Sequence, residues 1–157
     1  VSRWALDGVI LTGGEDRGTN PLRDATEDAL WALCCRGRLR LMGVCRGLQL
    51  LWHWHGGPLC AAPGHVGVRH PIRWTPPWVD AVAKTREVNS FHGLMLAGPL
   101  PTGLQAYAWG PLGEVEAAGD SARRCAGLMW HPERKPLVDP DDQRFLRWFW
   151  LGEEPSP

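Results

Sequence analysis

Short, wholly apolar runs alternate with longer amphipathic ones in the first third of this chain, and glycines mark the joints. "DGVILTGGED" turns at Asp7-Gly8, runs through the β-rich segment Val9 to Thr12 and breaks at Gly13-Gly14. A continuous apolar run of that length predicts a strand buried on both faces, as in a parallel sheet. "NPLRDATEDALWALCCRG" predicts a helix. Acidic residues crowd its start, Leu30, Trp31, Leu33 and Cys34 form an apolar face, and Gly37 stops it. "LRLMGVC" predicts a second strand and "RGLQLLWHWHGG" a second helix, ended by Gly56-Gly57. Strand, glycine loop, helix, strand, tight turn, helix is the order of an α/β, doubly wound, mostly parallel sheet. Ligands of such sheets gather at the carboxyl ends of the strands. Gly13-Gly14 and Cys45 both stand at such ends.

The later pattern is less regular. Pro58 to Pro101 is rich in proline and glycine. Within it, "EVNSFHG" predicts a short strand entering a loop. "GLQAYAW" and "GEVEAA" predict a hairpin across Gly110 to Gly113, "RCAGLMWHPE" another buried strand, and "DPDDQRFLRWFW" a helix opened by Asp139, Asp141 and Asp142. No linker or repeat divides the chain, so residues 1–157 are read as one domain.

Composition narrows the function. Lys plus Arg and Asp plus Glu number 17 each, for a net charge of zero. That removes any electrostatic reason to expect nucleic acid or an anionic membrane as partner. The dense basic spot "RGRLR", Arg36 to Arg40, reads as cations at a helix end. No apolar run reaches the roughly 18 residues of a membrane span, and the first residues lack the charged and apolar regions of a secretory signal. Five cysteines with Cys34 and Cys35 adjacent and no CxxC fit no disulfide scaffold, so a reduced, cytoplasmic protein is expected. Ten tryptophans without a period predict core filling. His53, His55, Cys60, His65 and His70 have no common zinc spacing. No metal and no cofactor are expected.

The chemistry centres on Gly43-Val44-Cys45-Arg46-Gly47, a thiol counterpart of the G-x-S-x-G nucleophile elbow. With glycine at about 7% usage, five cysteines have a chance of about 2–3% of producing one such frame. This one also falls on an independently predicted strand-to-helix junction, where helix N–H dipoles favour a thiolate. Of six histidines, His131 follows the apolar run "AGLMW", also at a strand end, and Glu133 stands two residues on. Cys45, His131 and Glu133 together supply nucleophile, base and orienting carboxylate. The backbone N–H groups of Arg46 and Gly14 are the natural oxyanion donors.

"DGVILTGGED", "RDATEDAL", "GVCRGLQLL", "VNSFHG" and "GLMWHPER" occur in the order and roughly the spacing of class I glutamine amidotransferases. Over residues 7–150 the chain resembles that family, most of all its γ-glutamyl-γ-aminobutyrate hydrolase branch and the γ-glutamyl-CDP-amidate hydrolase-like members within it. The resemblance implies a flavodoxin-like sheet, a Cys45-His131-Glu133 triad and attack on a γ-glutamyl amide through a glutamyl thioester. It implies that Gln49 holds the glutamyl group, and that Ser90, Phe91, His92 and Gly93 contact its α-amino and carboxylate ends. The γ-glutamyl-CDP-amidate members place the substrate in capsule and nucleotide-sugar metabolism. Two departures stand out. The family's usual N-terminal strand-helix-strand unit has no counterpart in these residues, and "GPLGEVEA" lacks the usual Asp-Gly. Three functions stay open: a hydrolase of a small γ-glutamyl substrate, a glutaminase subunit feeding ammonia to a synthase partner, and a binding-only remnant. Homo-oligomerisation is compatible with each.

Overall fold

The computed structural model describes residues 5–75 and 85–154. Strand β1 (Gly8–Leu11) leads through the glycine loop to α1 (Pro21–Cys35). Asn20 caps α1 by accepting a hydrogen bond from Arg23 N–H at 3.1 Å, and Pro21 takes the first turn, where no N–H is needed. Strand β2 (Arg40–Val44) and α2 (Arg46–Trp54) follow with only Cys45 between them. Then come β3 (Leu59–Ala61), β4 (Val66–Trp74), β5 (Thr85–Phe91), β6 (Leu94–Leu96), β7 (Gln105–Trp109), β8 (Val115–Asp120) and β9 (Cys125–Leu128). The final helix α3 (Pro140–Leu151) is capped by Asp139 and ends at Gly152, which is left-handed with φ 71°.

Seven strands form one sheet in the order β1-β2-β9-β8-β7-β4-β5, and β3 pairs with β6 separately. The expected mostly parallel sheet needs correction. Only β1–β2 and β2–β9 are parallel; β9–β8, β8–β7, β7–β4 and β4–β5 are antiparallel. Connection length explains the change. The parallel pair β1–β2 is bridged by a whole helix, whereas β7–β8 and β8–β9 are joined by a few residues, too few for a crossover.

Helices do cover both faces, as the doubly wound expectation requires. On one face α1 and α2 pack over Leu11, Leu41 and Cys125; on the other, Phe145 and Phe149 of α3 pack over Met42, Ile72 and Ala126. Successive residues of β2 and β9 enter opposite clusters, the period of a strand buried on both sides. The three tryptophans with almost no exposure, Trp52, Trp74 and Trp130, fill these cores, and the last two meet edge-on at 5.3 Å. Trp4 and Trp78 lie outside the described residues.

The helices, the β7–β8 hairpin and β9 match the sequence pattern closely. Strand β5 is longer than the short strand predicted, and β3, β4 and β6 were not predicted. In β4 the buried residues His70, Ile72 and Trp74 alternate with exposed ones, but Gly67 and Pro71 disguise the period. Proline is tolerated there because, among the described residues, β7 pairs only with Arg73 and Trp74 of β4, which leaves Pro71 without a ladder partner on that side. All five cysteines are free. No helix among the described residues is long and apolar enough to cross a membrane.

Candidate active site

Cys45 is the single residue between β2 and α2, and its backbone is unusual for a non-glycine: φ 53°, ψ −107°. Both ends of the residue are fixed. Its N–H donates to Leu128 O at 2.7 Å, and its carbonyl accepts from Leu48 N–H and Gln49 N–H at 2.9 and 3.1 Å. The flanking glycines are steric necessities. A Cβ on Gly43 would collide with the main chain of Gly47, and one on Gly47 with the carbonyl of Leu11. The turn brings three main-chain segments closer than side chains permit.

His131 follows the buried stretch of β9, and its main chain is gripped by Asn89. The Asn89 amide donates to His131 O at 2.9 Å and accepts from His131 N–H at 2.8 Å. On the ring, Nδ1 lies 2.6 Å from Glu133 Oε1. A carboxylate can only accept, so this contact places the proton on Nδ1 and leaves Nε2 as the basic atom. A Cβ on Gly13 would lie 2.7 Å from His131 Cε1, 3.5 Å from Nε2 and 3.6 Å from Cys45 Cβ. Cys45 and His131 therefore converge over Gly13, where a side chain would fill the space between them.

Burial pushes the Cys45 thiol above its ordinary pKa; a hydrogen bond from Arg46 N–H and the charge of Arg134 act the other way. The main-chain N–H of Arg46 thus faces the Cys45 thiol, while its guanidinium, 2% exposed, turns inward to pair with Glu27 and with Asp24 at 2.6 Å. Glu27 also holds Arg23 at 3.0 Å, and Arg23 reaches Thr12 O and Gly13 O at 2.9 and 3.2 Å. The acidic first half of α1 therefore links the glycine loop to the start of α2. Gly14 stands on that loop against the Arg23 guanidinium, with a φ of 151° that L side chains rarely adopt.

The other predicted residues divide by exposure. Gln49 is buried and donates to Leu94 O at 2.9 Å. Ser90 is fully buried, its hydroxyl donating to His65 O at 2.5 Å, and His92 is buried with Nδ1 3.0 Å from Leu94 O. Phe91 and Gly93 are exposed. The Phe91 ring meets His131 edge-on at 5.8 Å, with the Arg134 guanidinium 4.2 Å over its face. Burial, with the neighbouring histidines, pushes His92 down to about 4. Asn89 is the residue that sequence reasoning missed. Its signal was present in "VNSFHG", but its partner lies 42 positions away.

Of the histidines and cysteine weighed for a metal, His65 and His70 come together with His92 and Glu116, whereas His53, His55 and Cys60 do not join them. His55 instead bridges Leu51 O and Asp120.

A family model described as Peptidase C26 matches residues 4–133. The glutamine amidotransferase-like protein YvdE of Lactococcus lactis is 29% identical, over 82% of this chain and 66% of its own length. The gamma-glutamyl-CDP-amidate hydrolase of Campylobacter jejuni is 26% identical, over 95% of this chain and 72% of its own. Among solved structures, a glutamine amidotransferase from Methylobacillus flagellatus superposes with a TM-score of 0.67 at 17% identity, covering 95% of this chain and 57% of that one. The chain thus spans only part of the length of these proteins.

Proposed function

The chain belongs to the peptidase C26 family, and from that premise we propose that it is a cysteine-dependent hydrolase of a γ-glutamyl amide. The observation that carries the reading is the convergence of Cys45 and the Glu133-bound His131 over Gly13. The β2–α2 turn serves as a nucleophile elbow in a flavodoxin-like arrangement. His131 Nε2 takes the Cys45 proton as the sulfur attacks the γ-amide carbonyl. The N–H groups of Arg46 and Gly14 hold the oxyanion. As the tetrahedral intermediate collapses, the C–N bond breaks, and His131 returns its proton to the departing nitrogen. That leaves a glutamyl thioester on Cys45. His131 then deprotonates water, which cleaves the thioester to glutamate and free thiol. Glu133 stays ionised and orients the imidazole throughout.

The glutamyl group lies against Gln49 and the exposed loop at Phe91 and Gly93. Buried Ser90 and His92 shape that loop from behind, as their contacts with backbone carbonyls support. For the leaving amine, the cleft lined by Arg69, Asn89, Phe91, Arg134 and Lys135 is cationic and aromatic. That chemistry favours an anionic group such as the nucleoside diphosphate of γ-glutamyl-CDP-amidate.

A panel of γ-glutamyl amides, with glutamine included, tests the reading. Wild-type protein should release glutamate from at least one. Cys45→Ser should reduce turnover by about 10³-fold or more, as loss of a nucleophile does. Equal turnover by the two proteins would overturn the mechanism. Glutamine hydrolysis that appears only when a synthase is added would make the chain an amidotransferase subunit instead. Binding without turnover of any member would make it a binding protein.

A further inference from the structure

We propose that His65, His70, His92 and Glu116 bind a divalent transition-metal cation of the zinc class. They come from separate parts of the fold: the residue before β4, β4 itself, the residue after β5, and β8. All four are buried, with exposures of 9%, 8%, 3% and 1%. One donor atom from each lies within 4.8 Å of the others.

The pattern of protons argues for a cation. His70 Nδ1 lies 3.2 Å from Pro71 O and His92 Nδ1 3.0 Å from Leu94 O. Carbonyls only accept, so in each neutral ring the proton sits on Nδ1 and Nε2 presents a lone pair. Those two Nε2 atoms, Nδ1 of His65 and both carboxylate oxygens of Glu116 are buried without a hydrogen-bond partner. Glu116 stands 3.9 Å from His70 Nε2 and 3.8 Å from His92 Nε2, beyond hydrogen-bond reach. One proton could serve one of these contacts and would leave the rest unpaired, which is costly in a buried site. One cation would take a lone pair from each of the three imidazoles and from one Glu116 oxygen. Donors around a tetrahedral ion with bonds of about 2.0–2.1 Å stand about 3.3–3.4 Å apart, so the four donors, which lie within 4.8 Å of one another, would draw together by up to about 1.5 Å around the ion.

The donor set chooses the ion. Three imidazoles and one carboxylate suit zinc, cobalt or nickel, whereas magnesium and calcium prefer oxygen ligands. The carbonyl contacts on Nδ1 of His70 and His92 are of the kind that orient metal-bound imidazoles. Four protein donors complete a tetrahedron, the form of a structural site. Its effect would be to tie β8 to the end of β5 that carries Phe91. The proposal does not depend on amide hydrolysis.

Metal-free full-length protein titrated with Co²⁺ and then Zn²⁺ tests it. The expected result is about one equivalent of Co²⁺ per chain. It should show the visible ligand-field bands of a tetrahedral nitrogen–oxygen site, no thiolate charge-transfer band, and displacement by Zn²⁺. Glu116→Gln and His70→Gln should each weaken binding by about 10-fold or more, while Cys60→Ser and His53→Gln keep it. Absence of the cobalt spectrum in folded wild-type protein would overturn the proposal. So would a spectrum that both ligand variants retain. Should those variants fail to fold, NMR of wild-type protein decides: Zn²⁺ must shift the ring signals of His65, His70 and His92, and unchanged rings refute the site.

Discussion

At Cys45, burial and helix geometry pull in opposite directions. A residue at the start of α2 gains from helix N–H groups, which favour a thiolate. Burial outweighs that gain here and raises the thiol above its ordinary value. The acid form therefore prevails near neutrality, and the thiolate fraction grows with pH through and beyond the ordinary thiol range. Alkylation of Cys45 by iodoacetamide should accordingly keep accelerating past about pH 8.5, the value of a free thiol. A rate already level below about pH 7 would mean that a thiolate–imidazolium pair exists at rest. Asn89 makes a second test. Asn89→Ala removes both hydrogen bonds to the His131 main chain. A ring displaced by about 1 Å should lower kcat by about 10²-fold and change KM less. A fall in KM-linked binding alone would deny Asn89 its positioning role. That Cys45, His131 and Glu133 come together was legible in the sequence because Cys45 has a glycine frame, His131 stands at a strand end and Glu133 follows it by two residues. Asn89 and Glu116 were not, because what distinguishes them is a contact made far along the chain.

For the elements, the informative packing is that of β2 against α2. Gly43, Gly47 and Gly127 leave no room between β1, β2, the first turn of α2 and β9, where even a methyl group would meet main chain. Gly43→Ala and Gly47→Ala should therefore each cost about 1–3 kcal/mol, as overpacking does, or more because main chain repacks poorly. Urea denaturation measures this, with Gly56→Ala as a comparison that meets no neighbouring atom but has a left-handed φ of 84°. Gly43→Ala or Gly47→Ala at wild-type stability would contradict the packing. Elements with a clean period were readable in advance: α1, α2, α3, β1, β2, β9 and the β7–β8 hairpin. Strand β4 was not, since Pro71 argues against a strand until the unpaired side of β4 is known. Strands β3 and β6 have three residues each, too few to establish a period.

On the scale of the molecule, α/β class and helices on both faces followed from the alternation in the first 57 residues. The switch from parallel to antiparallel pairing beyond β9 did not. It depends on which strands adjoin in space, and the apolar pattern of a buried strand is the same for either direction. The two halves carry different residues: the parallel strands and their loops hold Cys45, His131 and the glycine loop, and the antiparallel strands and the residues that flank them hold Asn89, Phe91 and the histidine cluster. The tight seam between β2 and α2 has a further consequence. Contact between main chains contains no side chain that could vary, so substitutions elsewhere have little means of loosening or re-aiming it. The seat of Cys45 is thereby insulated from sequence drift in the surrounding scaffold, and a lesion at Gly43 or Gly47 has few routes to compensation other than restoring the glycine.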